Sequence, residues 1–160
     1  MSRSKPSQVK APPHKVLDLE KYFPVLLTAL ANKWSSAASR LYAKQFDIGI
    51  MEWRVLSAAA AAPGTRPNDV CQVVGVDKGA VAKALRTLTE RRLVATAPSK
   101  SDARSKSIHL TDDGWRIHEQ ILDIALRRER NLLSVLSASE RKSLFSHMRR
   151  LLAHLPNIAD

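Results

Sequence analysis

The chain of 160 residues carries 26 Lys and Arg against 15 Asp and Glu, a formal charge of +11 with a pI near 10.3. That surplus points to a polyanionic partner, nucleic acid first and an anionic membrane surface second. A single cysteine, Cys71, excludes an internal disulfide and a multi-cysteine zinc site, and no apolar run approaches the roughly 20 residues of a membrane span.

Residues 1–15, rich in Pro, Ser and Lys and lacking the apolar stretch of a signal peptide, read as a flexible basic arm on a chain expected in the cytoplasm, off the membrane. A short helical piece is expected over 16–21. Pro24 suits the first turn of a long helix, where its missing N–H costs nothing. Leu27, Leu30, Ala31, Trp34, Ala37, Ala38, Leu41 and Tyr42 recur at spacings of three and four, the pattern of one buried stripe, with Phe46 extending it and Gly49 closing the element. An alanine-rich helix with Trp53, Leu56 and Ala60 on one side follows over 50–62, until Pro63-Gly64 breaks it.

A short helix over 67–74, Gly75 as its stop and Asp77 as the cap of the next give the spacing of a helix-turn-helix. In the helix over 77–92, Val81, Ala84, Leu85 and Leu88 fall on the inward side. Gly79, Lys83, Arg86 and Glu90 fall opposite, flanked by Ala82 and Thr87. Such a face fits a major groove. Lys83 can donate to guanine O6 or N7, Ala82 can touch a thymine methyl, and Gly79 lets the backbone approach closely. Lys78, Arg86 and the helix N-terminus suit phosphates. Between 78 and 106 eight cations stand against two carboxylates, a local excess of six.

Strand-like runs over 93–97 and 107–110 enclose a basic turn, a small β-wing. Arg104 at its tip can enter a narrow minor groove, with Asp102 holding its guanidinium and Lys100 and Lys106 on flanking phosphates. Thr111 followed by Asp112 and Asp113 starts a further helix with an apolar stripe from Ile117 to Leu136. Ser137 to Glu140 matches a capping box and opens a last helix carrying Leu144, Met148, Leu151, Leu152 and Leu155. Two such helices exceed what a small reading lobe needs to close its core and point to a second subunit.

From about residue 17 to 155 the chain resembles the MarR family of winged-helix transcription regulators. The motifs that carry the resemblance are MEWRVL (51–56), DKGAVAKAL (77–85), RRLV (91–94), SDARSK (101–106) and LTDDG (110–114), in that order. It implies a mainly α fold with a small β-wing: N-terminal dimerisation helices over 16–48, a winged helix-turn-helix DNA-binding lobe over 49–112 and C-terminal dimerisation helices over 113–160. It further implies a homodimeric regulator, in the usual case a repressor, on a pseudo-palindromic double-stranded DNA operator, with Asp102 and Arg104 paired at the minor groove. A small aromatic or anionic effector would enter a cleft that Trp34, Trp53 and His118 can line, although each also reads as core. Ala82 stands where members often have Ser or Thr and Arg92 where Gly is frequent, so base preference does not transfer.

Catalysis finds no support: the five histidines are scattered, and no paired carboxylates, HExxH or phosphate-cradling glycine loop appears. No cofactor or metal is expected, His147 and His154 sharing a helix face without further ligands. Cys71, on the apolar side of its helix, reads as a buried, inert thiol. The competing function is a non-specific architectural DNA- or RNA-binding protein using the same basic surface.

Overall fold

The computed structural model describes residues 14–98 and 106–158. By its contacts the chain divides into two units, residues 1–37 and 38–160.

In the first unit the helix expected over 16–21 is replaced by a turn. The Asp18 carboxylate accepts from the N–H of Glu20 at 3.1 Å and pairs with Lys21 at 3.1 Å, while the Asp18 carbonyl accepts from the N–H of Lys21. A side chain that takes a local backbone donor competes with helix formation. Helix α1, Phe23–Phe46, begins there with Pro24 as its second residue. Leu27, Leu30 and Ala31 were expected inside and are exposed. Helical spacing determines which residues share a face but not what covers it.

In the second unit the last turns of α1 bury Ala38 and Tyr42. Phe46, not Gly49, is its final residue: Asp47 takes the left-handed conformation at φ 55°, and Gly49, extended, stands before α2, Ile50–Ala61. Helix α3, Pro67–Val74, is closed by Gly75 at φ 71°. Helix α4, Lys78–Glu90, leads into β1, Val94–Pro98, which pairs antiparallel with β2, Lys106–Leu110, Val94 facing Leu110 and Pro98 facing Lys106. Thr65 from the α2–α3 loop adds a rung, its carbonyl accepting from the Ile108 N–H at 2.9 Å. Helix α5, Asp112–Leu133, starts at Thr111, whose hydroxyl accepts from the Gly114 N–H at 3.1 Å.

The core lies where α2 meets α3, α4, α5 and the wing. Val55, Leu56, Val70, Val81, Leu88, Ile108 and Ile121 are fully buried there, and each such side chain contributes roughly 1.5–3 kcal/mol by leaving water. Cys71 is half-buried rather than buried. Helix α6, Ala138–His154, has the expected capping box, the Ser137 N–H and hydroxyl both donating to Glu140 at 2.7 Å. Those bonds hold the Glu140 carboxyl below its usual pKa. The stripe expected on α6 is exposed at Leu144, Leu151, Leu152 and Leu155, and no residue of the helix is buried; Val135, expected within the α5 stripe, is 85% exposed beyond its end.

Candidate nucleic-acid interface

Helix α4 owes its start to Asp77, which is extended and whose carboxylate accepts from the Ala80 N–H at 2.9 Å. The cap sets the rotation of everything that follows. Val81, Ala84 and Leu88 turn inward and are buried, with Leu85 half-buried beside them. Lys78, Gly79, Ala82, Lys83 and Arg86 are all exposed, as their positions on the helix wheel require. None of the three cations forms an ion pair with another described residue. Three unneutralised charges around two residues with little or no side chain make a face that is both positive and closely approachable.

At the start of α3 the charge is treated differently. Arg66 places two guanidinium nitrogens 2.9 Å from the Asp69 carboxylate, which that contact holds below its usual pKa. Arg66 is thereby partly neutralised, whereas the cations of α4 are not.

A cleft of about 360 Å³ runs between α4 and the wing. Arg86 and Lys106, which sequence reading took as separate phosphate contacts, line it together, with Thr89 and Thr96 supplying hydroxyls. The two threonines were missed because neither is charged. Their signal is positional: Thr89 follows Arg86 by three residues on one helix face, and Thr96 sits two places before Pro98, the partner of Lys106. Lys100, Asp102 and Arg104 lie outside the described residues.

The aromatic residues group differently from what a ligand cleft alone would need. Trp53 stacks on His118 at 5.3 Å between ring centroids, Tyr42 meets Trp53 edge-on at 5.8 Å, and Trp115 meets His118 edge-on at 5.7 Å. His118 is buried, its Nδ1 has no hydrogen-bond partner among the described residues, and burial pushes its pKa down against a smaller upward pull from Glu119. Trp115 went unnoticed because it falls next to the polar start of α5. Trp34, half-buried, belongs to the first unit.

Known proteins are similar to this chain in sequence and in fold. The family model described as MarR family matches residues 46–105, from the end of α1 to the wing. A crystal structure of a MarR/EmrR family transcriptional regulator from Acinetobacter sp. ADP1 superposes with a TM-score of 0.83 at 27% identity, over 89% of this chain and 100% of that one. In sequence over residues 46–105, and in fold along most of its length, the chain is similar to MarR-family transcription regulators.

The chain is also similar to the HTH-type transcriptional regulator PecS of Dickeya dadantii, 25% identical over 118 residues, 74% of this chain and 69% of the relative. Another is the PcaV transcriptional regulator of Streptomyces coelicolor, solved in complex with its natural ligand, with a TM-score of 0.72 at 25% identity over 88% of this chain and 98% of that one. These proteins are described as transcriptional regulators; among the described residues of this chain no helix is long and apolar enough to cross a membrane and no group of three or more His, Cys, Asp or Glu is placed to hold a metal.

Proposed function

We propose that the chain binds a pseudo-palindromic DNA operator as a homodimer, represses from it, and is released by a small aromatic or anionic effector. The observation that carries the reading is the exposed face of α4, where Lys78, Lys83 and Arg86 surround Gly79 and Ala82 without an ion pair to any described residue. Lys83 reads a base edge in the major groove, and Gly79 and Ala82 allow the approach. Lys78, Arg86 and Lys106 hold phosphates and fix the register. Lys100 and Lys106 flank the wing tip, and Arg104, held by Asp102, takes the minor groove.

Pairing of two chains is supported by α6. Phe145, Leu151 and Leu152 are 42–63% exposed on a helix that buries nothing, and Leu155, just past its end, is exposed as well. An amphipathic helix gains most of its stability from the surface that covers its apolar stripe. A second copy supplies that cover and sets two reading heads on one duplex. The effector reading rests on the ligand complex of the PcaV relative and on the aromatic group of Trp53 and His118.

Selection of bound fragments from genomic DNA, followed by salt titration of the selected site against random duplex, tests the proposal. A regulator keeps a large preference for the selected site as salt rises. Equal loss of both duplexes at the same salt would leave the non-specific architectural reading.

A further inference from the structure

Arg91 terminates α4, its own N–H donating to the Thr87 carbonyl at 3.1 Å. Its side chain runs elsewhere. Nη2 donates to the Phe46 carbonyl at 3.1 Å, Nη1 donates to the Asp47 carbonyl, and Nη1 lies 3.6 Å from the Asp47 carboxylate. The side chain is 30% exposed. Those two carbonyls belong to the C-terminal end of α1, which, like any helix end, leaves its last carbonyls without intrahelical donors and attracts a cation. One residue therefore ends the recognition helix and caps the helix 45 positions before it.

The same short turn is held from its other side. The Thr111 hydroxyl donates to the Arg92 carbonyl at 2.7 Å, and the Thr111 N–H donates to the Leu93 carbonyl at 3.1 Å. The exit of α4 is thus pinned between the end of α1 and the start of α5, with Arg92 at φ 57° between the two anchors. Arg91 differs from Lys78, Lys83 and Arg86 in spending its donors on protein carbonyls.

We infer that Arg91 is a positioning residue for DNA reading: its planar fork on the Phe46 and Asp47 carbonyls sets the direction of α4, and it contacts no phosphate. The inference rests on the assignment of α4 as the reading helix. A lysine at this place keeps the charge but loses the paired, fixed donor geometry.

The test measures binding to the selected operator by the full chain at a temperature where circular dichroism shows each variant folded. Arg91→Lys is expected to bind at least tenfold more weakly, with the slope of log affinity against log salt unchanged. Asp47→Asn keeps both carbonyls and is expected to bind within twofold of the parent protein. Wild-type affinity in Arg91→Lys would overturn the inference. So would a slope shallower by about 0.9, the signature of a lost phosphate contact. An Asp47→Asn loss as large as that of Arg91→Lys would transfer the role to the ion pair, and failure of Arg91→Lys to fold would make the residue structural only; both also overturn it. If the parent protein selects no site at all, the failure lies instead with the reading of α4.

Discussion

Gly114 rests against the carbonyl oxygen of Leu93, so close that a methyl group on its Cα would lie 2.0 Å from that oxygen and 3.4 Å from Cβ of Leu110. That contact seats the first turn of α5 on the root of the wing, where the same oxygen already accepts from the Thr111 N–H. The glycine of LTDDG is required by packing. Gly114→Ala must displace backbone, and we expect a loss of about 1–3 kcal/mol, as for other overpacked sites. Urea unfolding measures it; an unchanged midpoint would show that the α5–wing junction gives way freely.

His118 predicts a pH dependence. Its folded pKa is lowered because burial beside Trp53 and Trp115 disfavours the imidazolium. Between that lowered value and the unfolded value of about 6.5, the unfolded chain binds the extra proton. The contribution of His118 to stability is therefore complete above about pH 6.5 and is lost as pH falls through that window. Urea midpoints from pH 8 to pH 5 should fall in the parent protein and fall less in His118→Phe. Equal slopes would contradict the assignment.

Asp77 caps α4 through the Ala80 N–H. Asp77→Ala should cost about 1 kcal/mol, and Asp77→Asn, which can still accept, much less. Matching losses in chemical denaturation would mean that charge at the helix start matters more than the cap bond.

The exposed cations of α4 should separate by role. Lys83→Ala should relax preference at one base position by roughly 1–3 kcal/mol, while Arg86→Ala should weaken all duplexes alike and reduce the salt slope by about 0.9. Arg104→Ala should weaken binding mainly at A·T-rich flanks. Uniform and equal losses across operator variants would contradict these roles.

Much of this was legible because the signals are local. Pro67 and Gly75 bound α3, and Asp77, Thr111 and Ser137 each cap the helix that follows, within three residues of their partners. The outward face of α4 followed from periodicity alone. What covers a face is not local, so Leu27 and Leu30 were expected inside and stand exposed in the single chain, as do the α6 leucines, which read as surface for a second subunit. The Arg91 fork escaped notice for a related reason: its acceptors are backbone carbonyls 44 and 45 residues away, and a carbonyl leaves no mark in the side-chain pattern. Arg92 offered a partial sign. The family resemblance puts glycine there often, and the residue does adopt a positive φ.

The mass of the complex with a selected duplex, taken by analytical ultracentrifugation, tests the central claim most directly. Two chains per duplex are predicted, with protected half-sites about one helical turn, roughly 10 base pairs, apart. A single chain per duplex, or protection without two-fold symmetry, would contradict the account.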